Sequence, residues 1–355
     1  EFDATDENGE ETLSGLPLGV YLVCETYAPD GIVETAMPFI VTIPYPYSQG
    51  WIYDVHAYPK NTMAEAPTKT IEEQAGLVAG SEVRFPVTVK VPTLDSASSY
   101  QSFTITDTLD PRLTPGDPAV VDSHGGTVTV DGETITVTYT AEQFKALAGT
   151  ETTVVFVGVV NEDIGDGEID NTALVNINDK EFESNTVTTN WGDLVVLKLD
   201  SSKTGATLEG AVFDLYAAET PYGDTCDAAV PTGDALYTGL TTDADGKIRV
   251  SALFVSDSEN APVNADFRCY VLVETEAPAG YVTPEGNAAN FPVAVKVGQT
   301  ADVDIAIDNV QQDVPELPLT GSSGAMILTI IGVVLIGGAL MLIMISRRKT
   351  AHINA

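Results

Sequence analysis

An all-β protein of tandem immunoglobulin-like sandwiches, followed by one C-terminal transmembrane helix, is what this 355-residue sequence predicts. Two observations carry the β part. Runs of Thr, Val and Ile alternate with polar residues at period two, and Gly, Pro, Asp and Asn break them at short intervals. A third carries the helix. The stretch from Ala325 to Ile345 is uncharged and apolar, and at 1.5 Å per residue it is just long enough to cross a ~30 Å hydrocarbon core. Before it, the plausible helical stretch is Ala141 to Ala148.

Turn-rich breaks divide the chain into residues 1–62, 63–190 and 191–312, with 313–355 as a tail. The opening Glu1-Phe2-Asp3 reads as the middle of a domain, so the first segment is expected to lack its first strands and a signal peptide. With 52 Asp and Glu against 16 Lys and Arg, the net charge of −36 argues against nucleic acid, whose phosphates need a basic face. It suits an exported, self-repelling protein. Three Cys and three His give no recognisable catalytic or metal constellation, so neither an enzyme nor a metal or cofactor site is expected. Asp243-Ala244-Asp245-Gly246 begins like a calcium loop but lacks the rest, and a hairpin turn is the expectation there.

The tail holds three elements in a fixed order. Leu317-Pro318-Leu319-Thr320-Gly321 comes first, then the apolar stretch, then Arg347-Arg348-Lys349. The basic end belongs on the cytoplasmic side, which puts the preceding chain outside the cell. Together they resemble the cell-wall sorting signal of Gram-positive surface proteins. The resemblance implies that a sortase cysteine attacks the Thr320 carbonyl, releases Gly321 onward, and leaves a thioester that an amine resolves. The helix would hold the chain at the membrane only until cleavage, and the product would be secreted and anchored to the cell wall.

Trp51 through Lys60, with Val55 and Tyr58-Pro59-Lys60, resembles the pilin motif of the major pilins of sortase-assembled pili. That resemblance implies Lys60 as the amine that attacks the Thr320 thioester of another copy. A lysine preceded by Pro between two domains is expected to be extended and accessible. Expected partners are then other copies in a covalent head-to-tail polymer, pilin-class and housekeeping sortases, minor tip or basal pilins, peptidoglycan and host receptors. The alternative is a monomeric wall-anchored adhesin or minor pilin that uses only the C-terminal signal.

Period-two geometry also puts ionisable residues on apolar strand faces. Leu194, Val196 and Lys198 share one face, Tyr270, Leu272 and Glu274 another, and Val303, Ile305, Ile307 and Asn309 a third. Buried without partners, such groups would be costly. Tyr270 to Tyr281 and Lys198-Leu199-Asp200 resemble the collagen-adhesin (Cna) B-type domain. The resemblance implies a spontaneous amide between Lys198 and Asn309 promoted by Glu274, which would stay protonated and polarise the Asn309 carbonyl. In residues 63–190, Lys69 with Ile71, Phe103-Ile105-Asp107-Leu109 at alternate positions, and Ile169 through Ile177 resemble the A-type domain. There Lys69, Asp107 and Asn171 are the expected set, with Asn185 as rival acceptor. Similar pilin domains carry one bridge, which implies a Cys226–Cys269 disulfide; Cys24, in an apolar strand-like run, is expected to be a buried free thiol.

Overall fold

The computed structural model describes residues 2–300, 302–312 and 322–351, with the side chains of the last stretch described over 329–343. Residues up to Val310 form one compact unit, and those from Gln311 a second. Almost all regular structure in the first unit is β.

Among the described residues of 1–62 there are three two-stranded ribbons and no sandwich. Gly19–Val23 pairs with Phe39–Ile43, Ile32–Glu34 with Thr62–Met63, and Tyr45–Tyr47 with Gly50–Ile52. Two strands cannot cover a face, and Val20, Leu22 and Ile40 are accordingly exposed. Ile32 and Val33 are the only buried residues described here, and Val33 belongs to the core of the next segment. Cys24 corrects the expectation of a buried thiol. It is free and exposed, because no second layer stands over its ribbon.

Residues 63–190 do form a sandwich. One sheet orders Leu113–Val121, Glu151–Val160, Glu82–Lys90 and Thr68–Lys69; the other orders Thr127–Asp131, Thr134–Tyr139, Phe103–Thr108, Ala173–Ile177 and Lys180–Glu183. Glu82–Lys90 shows the alternation plainly: Val83, Phe85, Val87 and Val89 are all wholly buried between more exposed neighbours. The expected helix spans Ala141–Leu147, opened by a capping box in which Thr140 and Gln143 satisfy each other's backbone N–H groups. Phe144 and Leu147 anchor it in the core.

The third segment pairs a sheet of Pro231–Thr241, Val212–Ala218, Phe267–Glu276 and Asn290–Lys296 with one of Glu168–Asn171, Val187–Asp200 and Lys247–Asp257. Ile305–Asn309 lies parallel to Val187–Asp200. Val303 falls before that strand and is exposed, so the expected apolar face begins only at Ile305. Cys226 and Cys269 are bonded across 43 residues of chain, worth about 4 kcal/mol of loop entropy in the unfolded state. The Asp243 carboxylate accepts from the N–H groups of Asp245 and Lys247 and closes the expected hairpin turn.

Strand Val187–Asp200 runs without a break through the expected boundary at 190/191. Its first residues pair with Glu168–Asn171, and its later ones with Lys247–Asp257 and Ile305–Asn309. Around it a seam of backbone bonds closes. Trp191, wholly buried, donates its N–H to Gly167 and accepts from Gly298, and Gln299 donates to Gly165. The seam leaves no room for side chains: a Cβ on Gly192 would stand 1.8 Å from the Lys296 carbonyl oxygen, and one on Gly167 2.2 Å from that of Trp191.

The C-terminal helix forms as expected over Ser322–Ala351. Its transmembrane reading is corrected: among the described residues no helix is long and apolar enough to cross a membrane. The side chains described, 329–343, are almost all exposed.

Replacing Gly192 by Ala should cost on the order of 2–3 kcal/mol through forced overpacking of the seam. A fall in the urea unfolding midpoint at unchanged slope would show it, and a wild-type midpoint would show that the seam yields freely.

Candidate functional site: two buried lysine–acid–asparagine sets and an exposed lysine

Between the sheets of the third segment, three polar side chains converge. Lys198 comes from Val187–Asp200, Glu274 from Phe267–Glu276 in the facing sheet, and Asn309 from Ile305–Asn309. The parallel register sets Lys198 opposite Ile307 and Asp200 opposite Asn309, which brings amine and amide to one level. All three are buried. The Lys198 Nζ donates to Glu274 Oε2 at 3.0 Å and to Asn309 Oδ1 at 2.7 Å. Asn309 Nδ2 donates to Glu274 Oε1 at 2.6 Å. One carboxyl oxygen therefore faces the amine and the other faces the amide nitrogen. That differs from the expected contact with the Asn309 carbonyl: here the acid touches the group that would leave. The rings of Phe213 and Phe291 stand 5.6 and 5.8 Å from the amine. Burial pushes the Lys198 amine below its ordinary pKa, against the opposing pull of Glu274.

The second segment holds a similar set. Lys69 lies on Thr68–Lys69, Asp107 on Phe103–Thr108 and Asn171 on Glu168–Asn171, all buried. Lys69 Nζ donates to Asp107 Oδ2, and Asn171 Nδ2 reaches the same oxygen at 3.4 Å. The other oxygens, Asp107 Oδ1 and Asn171 Oδ1, are buried with no hydrogen-bond partner. Desolvation lowers the Lys69 pKa and raises that of Asp107, so both groups are driven towards neutrality against their mutual attraction. Asn185 is turned elsewhere. Its amide exchanges two 2.8 Å bonds with the backbone N–H and carbonyl of Lys69, leaving the amine to Asp107. The structure therefore brings Asn171, and not Asn185, to the Lys69–Asp107 pair.

Lys60 stands apart from both sets and is exposed. It borders a cleft of about 410 Å³ shared with Tyr58, Pro59, Phe39, Glu34 and Asp95. Leu317, Pro318, Leu319, Thr320 and Gly321 lie outside the described residues. Sequence reasoning missed the aromatic walls and the residues that hold the strand after Lys60. Phe85 is visible as a buried position by alternation, but only the fold shows that its ring lies 5.2 Å from the Lys69 amine.

Four family descriptions match successive parts of the chain. They are a Gram-positive pilin subunit D1 N-terminal domain over residues 2–62, a cell surface antigen I/II C2 terminal domain over 59–191, a prealbumin-like fold domain over 192–311, and an LPXTG cell wall anchor motif over 309–352. The chain is 39% identical to the type 2 fimbrial subunit of Actinomyces naeslundii, covering 99% of this chain and 73% of that one. It is 25% identical to the type 1 fimbrial subunit of Actinomyces viscosus, covering 94% and 73%. Among solved structures, the Actinomyces fimbrial adhesin FimA superposes with a TM-score of 0.57 at 36% identity, over 70% of this chain and all of that one. The full-length major pilin SpaD of Corynebacterium diphtheriae gives 0.65 at 29%, over 87% and 83%. This chain belongs to the Gram-positive pilins, as a fimbrial subunit with an LPXTG cell-wall anchor.

Proposed function

We propose that this pilin is a shaft subunit, polymerised by a pilin-class sortase through an amide between Lys60 of one copy and Thr320 of the next. We also propose that Lys198–Asn309 and Lys69–Asn171 amides brace its two sandwiches. The observation that carries the bracing is the Lys198–Glu274–Asn309 contact set, in which one acid spans nucleophile and leaving group.

The chemistry balances without a cofactor. Lys198 passes a proton to Glu274 Oε2, which gives a neutral amine and a neutral acid, the forms that burial favours. The Nζ lone pair attacks Asn309 Cγ and forms the new C–N bond. Glu274 gives its proton through Oε1 to Nδ2 and takes the second Nζ proton through Oε2; the old C–N bond breaks, ammonia leaves, and Glu274 ends protonated beside the new amide. Asp107 can do the same for Lys69 and Asn171 through its single engaged oxygen. Each bond forms once in its own fold, so the subunit is a substrate and a structural element and turns nothing over.

The polymer rests on Lys60. It is exposed, as an enzyme-borne thioester requires, and it lies in the segment that matches the pilin N-terminal domain. The sortase, the minor tip and basal pilins, peptidoglycan and host receptors are proposed partners on the strength of the family.

Two outcomes check this reading. Replacing Lys60 by Ala should abolish the high-mass ladder in wall extracts while leaving anchored monomer; a persisting ladder would favour the wall-anchored adhesin. Replacing Glu274 by Gln should leave Lys198 unlinked and without its ion-pair partner, at a cost of roughly 3–5 kcal/mol. The sign of its pH dependence follows from burial. Because the folded pKa of this lysine lies below its unfolded value, the unfolded chain binds more protons between the two. Stability of that variant should therefore rise with pH up to the ordinary lysine value of ~10.4. Urea midpoints measured across that window would reveal the slope, and a flat profile matching wild type would contradict the assignment.

A further inference from the structure

The strand that follows Lys60 is gripped by the next domain, and the grip passes through Glu34 and Asn178. Between Gly50–Ile52 and Thr62–Met63 the chain carrying Tyr58, Pro59 and Lys60 belongs to no strand. It is fixed only as it re-enters a sheet. Asn61 accepts from the Ala36 N–H at 2.8 Å and donates to Glu25 at 2.7 Å, and Thr62 donates its hydroxyl to Glu34 Oε2. Thr62–Met63 then pairs with Ile32–Glu34, so the position of Lys60 is set by that short strand.

A three-residue strand in a two-stranded ribbon has little stability of its own. Its support comes from two loops of residues 63–190. The Glu34 carboxylate accepts the Asp95 N–H at 2.7 Å through Oε2 and the Ser96 N–H at 3.2 Å through Oε1. From the other side Asn178 donates from Nδ2 to the Val33 carbonyl at 3.2 Å and to the Ser99 carbonyl at 2.6 Å. Its Oδ1 accepts from Gln101 and Ser102. Asn178 and Asp179 make a two-residue hairpin turn, both with positive φ, and this aims the Asn178 amide outward from the sandwich. Val33 itself is buried in the core of that sandwich. Burial works to raise the Glu34 pKa, but the donors from Ser99, Asp95, Ser96 and Thr62 outweigh it and hold the carboxyl below its ordinary value.

We propose that Glu34 and Asn178 are positioning residues for the joining reaction, and that through them Lys60 is presented correctly only on a chain whose second domain is folded. The inference rests on Lys60 being the joining amine. Neither residue touches the reacting atoms. Each removes alternative placements of the strand that the nucleophile's segment leads into, so each raises the fraction of chains ready to engage the enzyme-bound thioester. Losing part of that fraction weakens engagement in proportion and leaves the rate of the engaged complex alone. An unfolded fraction would dilute the acceptor and raise its apparent KM in the same way, so acceptor concentrations are those of the folded chain, read for each variant from its unfolding curve under the assay conditions.

The test uses the full chain as amine acceptor, a pilin-class sortase, and a Leu-Pro-Leu-Thr-Gly peptide as acyl donor, with initial rates measured against acceptor concentration. Glu34→Ala should raise the acceptor KM about tenfold, the loss expected when charge-assisted bonds to two N–H groups are removed, at unchanged kcat. Asn178→Gly, which keeps the left-handed turn but deletes both donated bonds, should do the same. Glu34→Gln retains an acceptor oxygen and should recover part of the loss. Wild-type KM in both Glu34→Ala and Asn178→Gly would overturn the proposal, as would a fall in kcat alone. Lys60→Ala is the separate control: coupling that survives it refutes the nucleophile assignment, while coupling lost there but unchanged in the other two refutes only the positioning role.

Discussion

In each sandwich a lysine amine sits where water does not reach it. Lys69 and Lys198 are wholly buried, and a desolvated ammonium is tolerated only if it is paired or made neutral. That constraint orders much of the surrounding structure. The acid must come from the facing sheet, as Glu274 and Asp107 do, and the amide must arrive at the same level from a third strand. A one-residue slip in any of these strands would turn its polar group to the outside and an exposed residue inward. Conserving the register is thus the same requirement as keeping the amine partnered.

The two sandwiches also share a spine. Val187–Asp200 sends Val187 and Trp191 into the first core and Leu194 and Val196 into the second, and the glycine seam around Trp191 sets it without space for adjustment. With the proposed amides formed, the spine becomes part of a short load path. Tension entering after Lys60 would reach Lys69, cross to Asn171, pass through its pairing with Val187 into the long strand, and leave from Lys198 to Asn309. Most of each sandwich would lie outside that path. A polymer pulled at both ends would then load two covalent bonds, the short ladder between Glu168–Asn171 and Val187–Asn190, and one strand.

Much of this was legible in the sequence because strands write their buried face at period two. Phe103, Ile105, Asp107 and Leu109 alternate as read, and all are buried; so do Ile169, Asn171, Ala173, Val175 and Ile177. What alternation cannot supply is which faces meet. Asn171 and Asn185 carry equal patterns, and only the folded chain sends one to an acid and the other to a peptide group. Nor does pattern measure thickness: the apolar run around Cys24 reads as a core strand, yet its ribbon has nothing stacked on it. The seam at Trp191 was hidden for another reason. A strand shared by two domains looks in sequence like two strands and a boundary. Glu34 and Asn178 left no signal, since single polar residues at a turn and a strand end are common and their partners lie far away in the chain.

The central claim is that the buried amines have become amides, and mass measures this directly. Each bond expels one ammonia, so the intact chain should weigh about 34 Da less than its sequence with the disulfide counted separately, as two nucleophilic displacements require. Proteolysis should yield branched peptides joining Lys198 to Asn309 and Lys69 to Asn171. A chain of full sequence mass, with these lysines and asparagines recovered in separate linear peptides, would contradict the account.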